Sequence, residues 1–251
     1  MKFEVLGFEH LHFHASISNI KLTSRSNFLQ LQNRNLKLSS TTFAFMVLQV
    51  KELVMLPVME AFYTIQGEGF HQGRAAYFIR LGGCNVGCFW CDVKESWDAD
   101  KHPKVAVNNI VQQAASLPGR LAVITGGEPL MHNLNALTAE LHAEGFETNI
   151  ETSGSYPLSG KWDWICVSPK KFREPLQEVL NQAHEIKVII YNKNDFAWAE
   201  KHAAMVSSNC KLYLQPEWDR SAVMTPLIID YIKEHPQWEL SLQIHKYIDV
   251  P

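Results

Sequence analysis

Acidic residues are missing from the whole stretch between His10 and Val50, although Lys21, Arg25, Arg34 and Lys37 lie within it among many Ser, Thr and Asn. An acid-free, basic, hydroxyl-rich segment looks like an organelle transit peptide. It looks equally like translated upstream sequence from an early start codon, with Met46, Met55 or Met59 as later starts. The second reading is the simpler one, because the organised pattern begins near Leu56. Residues 1–54 are therefore expected to be a dispensable, poorly ordered extension, and 55–251 the domain. Excess charge is lacking too: a net charge of -3 gives no general affinity for nucleic acid. No apolar run approaches the length of a membrane-spanning helix. The five cysteines are an odd number with no recognisable secretory signal, so a disulfide framework is not expected. Reduced thiols fit a soluble, cytoplasmic protein with no direct nucleic-acid or membrane partner. A hydrophobic content of 46% over 251 residues is ordinary for one sizeable globular domain.

From Ala76 the chain alternates between strand and helix patterns. Strands are predicted at 76–81, 121–125, 147–151, 164–167, 185–191, 211–215 and 239–243, and helices at 106–116, 133–144, 175–182, 195–206 and 224–235. Such alternation implies parallel βαβ units whose right-handed crossovers gather the polar loops at the strand C-termini. The suggestive residues fall there: cysteines after the first strand, then TGGEP, ETSG, SPK and QPEW after later ones. These strands are too few for a closed eight-fold barrel, so the fold class expected is α/β, a partial, open, TIM-like (β/α) barrel.

Cys84, Cys88 and Cys91 stand as C-x3-C-x2-C in RLGGCNVGCFWCD. Three thiolates can hold three irons of a cubane cluster that normally takes four cysteines. The fourth iron then keeps an open position, which makes a metal site catalytic rather than structural. No His stands nearby at zinc-ligand spacing. Spacing and missing fourth cysteine together are the pattern of radical S-adenosylmethionine enzymes, in which the methionine moiety chelates the open iron. Cys166 and Cys210 lie in apolar sequence and read as ordinary buried thiols.

Other constellations carry two readings each. Gly126 and Gly127 in TGGEP let backbone approach a ligand closely, or simply make a tight strand-to-helix turn. Ile65, Gln66, Gly67 and Glu68 can offer an amide and a carboxylate to a polar ring, or form a solvated turn. Arg80 suits a ligand carboxylate through its planar fork, the alternative being a surface position on an edge strand. Phe89 and Trp90 shield a cluster and stack on adenine, or pack in the core. Ser168, Lys170 and the stretch 215–218 sit at strand ends, as does Glu151. The end of the chain is apolar and follows directly on a predicted strand, so it is expected to be tied down near the site rather than frayed.

IQGEG, FxRLGGCNxxCxWCD, TGGEP, NIETSG, SPK and a terminal QxHKYI ending in proline together resemble the 7-carboxy-7-deazaguanine synthase family, over residues 57–251. The resemblance implies a homodimer that converts 6-carboxy-5,6,7,8-tetrahydropterin to 7-carboxy-7-deazaguanine with loss of ammonia, on the way to queuosine and related 7-deazapurines. It implies a 4Fe–4S cluster on Cys84, Cys88 and Cys91, reduced by a carrier such as flavodoxin or ferredoxin. S-Adenosylmethionine is then expected against Trp90, Cys91, Asp92, Gly127, Ser168, Pro169, Lys170, Gln215, Pro216, Glu217 and Trp218. The pterin is expected against Ile65, Gln66, Gly67, Glu68, Arg80, Thr125, His245 and the terminal carboxylate of Pro251. The implied reaction is electron transfer to the sulfonium, hydrogen abstraction from the pterin C6 by a 5′-deoxyadenosyl radical, ring contraction and return of the hydrogen.

One departure stands out. The family commonly places a threonine magnesium ligand two residues after the third cysteine, and this chain has Val93. Magnesium demands oxygen ligands, so either a water or the Val93 carbonyl replaces the hydroxyl, or the dependence on the metal is weakened. Two other function classes are a glycyl-radical activating enzyme and a non-catalytic iron–sulfur electron carrier. IQGEG and the proline terminus argue against the first, and the absent fourth cysteine against the second.

Overall fold

In a computed structural model, residues 22–25, 28–31 and 53–251 are described. Within the first 52 residues, β1 (Leu22–Arg25) pairs antiparallel with β2 (Phe28–Leu31). The rest of residues 1–52, most of the expected 1–54 extension, lies outside the described residues. The unit Leu53–Pro251 contains β3 (Met55–Ile65), β4 (Ala75–Leu81), β5 (Lys104–Ala106), α1 (Val107–Ala115), β6 (Leu121–Gly126), α2 (Asn135–Ala143), β7 (Glu147–Thr152), β8 (Trp164–Val167), α3 (Gln177–Leu180), β9 (Glu185–Ile190), α4 (Asp195–Ala203), β10 (Lys211–Pro216), α5 (Ser221–Glu234), β11 (Trp238–Leu240) and α6 (Ile244–Ile248).

The strands form one nine-stranded sheet in the order β11-β10-β9-β8-β7-β6-β4-β3-β5. From β4 to β11 every pairing is parallel, whereas β3 runs antiparallel to both β4 and β5. The two outermost strands do not pair, so the barrel is open, as the strand pattern predicted. Among the described residues no helix is long and apolar enough to cross a membrane.

The eleven-residue β3 is absent from the sequence reading. Pro57 and a register irregularity between Val58 and Glu60 interrupt its alternation, which removes the period-two signal. The predicted strand at 239–243 also needs correction. Pairing stops at Leu240, and the chain turns into α6. The predicted helix at 175–182 shrinks to the single turn α3.

Strand parity sorts the two faces. Tyr77, Ile79 and Leu81 of β4, Ala122 and Ile124 of β6, and Ile186, Val188 and Ile190 of β9 belong to the main core with the helices. The alternate positions of the same strands face the other way. There Ala76, Phe78, Leu121 and Val123 form a small apolar cluster with Phe62, and beyond it toward the C-terminal ends the inner face turns polar.

Candidate active site

Arg80, Thr125, Glu151, Cys166 and Glu185 occupy the inner parity of consecutive strands. The pairing puts Arg80 beside Thr125, Glu151 beside Cys166 and Cys166 beside Glu185. Lys187 follows one step along β9. Arg80, Thr125, Glu151 and Lys187 line a cavity of about 270 Å³ together with all three motif cysteines.

The cysteine loop leaves β4 and is pinned on several sides. Gly83 N donates to Ser96 O at 2.6 Å and Cys84 N to Trp97 O at 3.0 Å. Asn85 Oδ1 accepts from Tyr156 OH and Arg173 Nη1 at 2.8 and 2.9 Å. His132 Nε2 lies 2.8 Å from Gly82 O. Burial pushes the Cys84 thiol up and raises Cys88 to about 11, so a metal that binds here displaces protons. In a cubane each cysteine takes a different iron, so three thiols spread along one loop around one cavity fit such a cluster. Among the described residues no group of three or more His, Cys, Asp or Glu gathers as for a single metal ion.

The TGGEP turn packs on this loop. A Cβ on Gly126, whose φ is +138°, would lie 2.2 Å from Leu81 O, and one on Gly127 2.4 Å from Gly83 O. Both glycines are thus needed for backbone to meet backbone, with Gly127 N bonded to Leu81 O and Glu128 N to Gly83 O. Glu128 is buried and ties the ends of β6 and β7 together. Its carboxylate accepts from Leu130 N at 3.0 Å, Thr152 Oγ1 at 2.5 Å, Ser153 N at 2.8 Å and the Ser153 hydroxyl.

The opposite end of the cavity is a charge network. Lys187 bonds Glu68 and lies 3.5 Å from Glu151 Oε1. Gln66 Nε2 donates to Glu151 Oε1 at 3.0 Å, Gln243 Nε2 to Glu68 Oε1 at 2.9 Å, and Thr125 Oγ1 lies 3.4 Å from Glu151 Oε2. Burial alone would raise the Glu68 carboxyl. The Lys187 ammonium, helped by the Gln243 and Gln215 amides, outweighs this and holds its pKa at about 2. Burial disfavours the Lys187 charge, but Glu151 and Glu68 hold its pKa well above the usual lysine value. Cys166 is buried as expected, yet its surroundings are polar: it sits on the inner face between two glutamates.

Of the residues singled out from sequence, Ile65, Gln66, Gly67, Glu68, Arg80, Trp90, Asp92, Val93, Thr125, Gly127, Ser168, Lys170, the stretch 215–218, His245 and Pro251 all line this cavity. Pro169 does not; it borders a smaller pocket with Phe89, Phe172 and Tyr191. Phe89 is 57% exposed and packs edge-on against Phe172 and Tyr191, away from the main cavity. Arg80 spends one of its five donors on Glu60, at 2.6 Å. The Glu217 side chain caps the turn Trp218–Arg220 through Arg220 N. Lys170 bonds Ser168 and stands 5.4 Å above the Trp90 ring.

The chain end is bound to the site. Ile244 N donates to Gly67 O at 3.1 Å, and a Cβ on Gly67 would collide with the His245 ring. Lys246 Nζ bonds Asp92 at 3.0 Å and lies 4.9 Å over Trp218. Through these contacts α6 bridges the cysteine loop and the β3 loop. Lys187 and Gln243 were missed from sequence. A Lys and a Glu two apart in the apolar strand EIKVII, hence on one face, was the available signal.

Val93 offers no side-chain oxygen, and its carbonyl already accepts from Ser96 N at 3.1 Å and Ser96 Oγ at 2.6 Å. Both lone pairs are taken. The carbonyl is therefore not free to replace the missing threonine, and position 93 does not fit magnesium.

Residues 78–192 match the model of the Radical SAM superfamily. A 7-carboxy-7-deazaguanine synthase of Flavobacterium psychrophilum is 55% identical over 197 residues, covering 78% of this chain and 93% of that protein. One from Synechocystis is 49% identical, over 78% of this chain and 94% of its own length. The crystal structure of QueE from Escherichia coli superposes with a TM-score of 0.68 at 32% identity, covering 75% of this chain and 93% of that one.

Proposed function

The chain belongs to the 7-carboxy-7-deazaguanine synthase family of radical S-adenosylmethionine enzymes, and from that premise we propose that it converts 6-carboxy-5,6,7,8-tetrahydropterin to 7-carboxy-7-deazaguanine with loss of ammonia. One observation carries the reading: a single cavity joins a three-cysteine loop to a network of carboxylates and amides suited to the N–H edge of a pterin. The cysteines would hold a 4Fe–4S cluster which, with S-adenosylmethionine, supplies one-electron cleavage of the sulfonium and a carbon-centred radical for hydrogen abstraction.

This chain's residues orient and enclose the reactants. Cys84, Cys88 and Cys91 hold the cluster. Gly127, Trp90, Asp92, Ser168, Lys170 and the stretch 215–218 hold the nucleoside and methionine parts of the cofactor. Gln66, Glu68 and Thr125 accept and donate at the pterin ring, with Gly67 giving backbone room. Arg80 takes the substrate carboxylate with the donors that Glu60 leaves open. His245, made less basic by burial, packs on Gly67 and closes the substrate end together with Pro251. No step is derived through magnesium, which position 93 does not fit. The reductant is a one-electron carrier such as flavodoxin or ferredoxin, the assembly a homodimer and the compartment the cytoplasm, where thiols stay reduced.

Anaerobic reconstitution with cluster, S-adenosylmethionine, reductant and the carboxypterin, followed by mass spectrometry, tests this. The deazaguanine acid is the expected product. Cleavage of S-adenosylmethionine with the pterin unchanged would overturn the substrate assignment.

A further inference from the structure

Lys187 has no part in the roles above, yet its side chain is 5% exposed and lines the cavity. Enclosing an ammonium is costly unless it is paired, so its partners deserve an explanation of their own. Glu68 comes from the loop after β3 and Glu151 from the end of β7, and Lys187 touches both from β9. Two carboxylates crowded in one buried site cannot both stay ionised without a cation beside them. The Gln66 and Gln243 amides fix one oxygen of each carboxylate.

Resting on the carboxypterin reading, we propose that Lys187 is a positioning residue. Reaching both Glu68 and Glu151 from β9, it holds the two carboxylates together, so that the pair accepts from the adjacent ring N–H and exocyclic amino donors of a flat heterocycle.

The other titratable groups around the clamp are Glu185 on β9, Cys166 on β8, Lys170 after β8 and His245 on α6. Burial favours the neutral form of each: it raises Glu185 and Cys166 and lowers Lys170 and His245. Glu185 is further engaged by Phe70 N at 2.9 Å. Lys187 is therefore the cation in direct contact with both Glu68 and Glu151.

The test is equilibrium binding of the carboxypterin to cluster-loaded, S-adenosylmethionine-saturated enzyme without reductant, between about pH 6 and about pH 8.5. Titration of the ligand itself is common to all variants and cancels in the ratio to wild type. In Lys187→Met one carboxyl takes up a proton. Affinity relative to wild type then falls about tenfold per pH unit below the raised pKa and recovers as the pH rises. The infrared spectrum of the ligand-free variant gains an additional protonated-carboxyl band. Lys187→Arg keeps the charge and should keep the wild-type pH profile. Weakening of Lys187→Met by the same factor at every pH, without the new band, is what a purely structural lysine gives, and it would overturn the proposal. Should Lys187→Met not fold, Lys187→Arg decides: a wild-type profile supports the role, and a pH-dependent loss with the charge retained sinks it. Failure of wild-type enzyme to bind the carboxypterin at any pH sinks the substrate reading instead, and the infrared arm, which needs no ligand, still decides the role of Lys187.

Discussion

The two ends of the cavity are built in opposite ways. At one end three thiols come from a single loop between Cys84 and Cys91, clamped by backbone hydrogen bonds. At the other, Gln66, Glu68, Thr125, Glu151, Lys187 and Gln243 are delivered by separate elements and held by one another's charges and amides. The contiguous end depends on its own loop and on the turn that packs against it. The assembled end depends on the register of the whole sheet. Local damage should therefore be total at the first and graded at the second.

The largest effect expected is at the cysteine loop. Cys84→Ala, Cys88→Ala or Cys91→Ala should abolish the visible absorbance of the reconstituted cluster and all turnover. Cys166→Ala and Cys210→Ala should keep the absorbance, since neither lines the cavity. Full activity in any one of the first three would remove the contrast between the two ends.

Glu128 joins the two regions and comes next. Glu128→Ala leaves Ser153 N, Leu130 N and the Thr152 hydroxyl without their acceptor in a buried site. Stranding buried groups of this kind costs about 1–3 kcal/mol each, so a loss of about 3 kcal/mol is expected in denaturant unfolding. An unchanged midpoint would mean that water replaces the carboxylate and that the link is not structural.

A smaller effect concerns Val93. Wild-type turnover should respond weakly to added magnesium, and Val93→Thr should respond more strongly. Equal responses would show that other atoms hold the ion or that none is used.

The smallest effect is a pH dependence of stability. Burial holds His71, His202 and His245 below the ordinary value of 6.5 in the folded chain. Their contribution is then complete above about pH 6.5 and declines as the pH falls through that value toward the folded pKa. The melting temperature should drop between about pH 7.5 and about pH 5.5, less steeply in His202→Gln. A flat profile would contradict it.

Legibility followed the same division. The open α/β barrel and the cysteine loop could be read because both lie in short-range pattern: alternating strands and helices, and a triplet whose spacing is itself the chemistry. The family-specific segments were legible for the same reason. Lys187 was not, because a lysine in EIKVII declares itself only when β9 is laid beside β7 and the β3 loop reaches across. Strand β3 was hidden by Pro57 and its irregular register. For the TGGEP glycines the sequence offers room for a ligand or a tight turn; that they also make room for the cysteine loop is a contact between segments far apart in sequence. For Phe89 the sequence offers shielding of the cluster or packing in the core; it lines neither the main cavity nor the core, because adjacent residues on a tight loop point different ways.

The most direct measurement of the division of labour is the electron paramagnetic resonance spectrum of the reduced cluster, before and after S-adenosylmethionine, in wild type and in Glu68→Gln. The account predicts the same cofactor-induced change in both proteins, while carboxypterin affinity falls only in the variant. A Glu68→Gln cluster that no longer responds to S-adenosylmethionine would contradict it, because the two ends of the cavity would then not be separable.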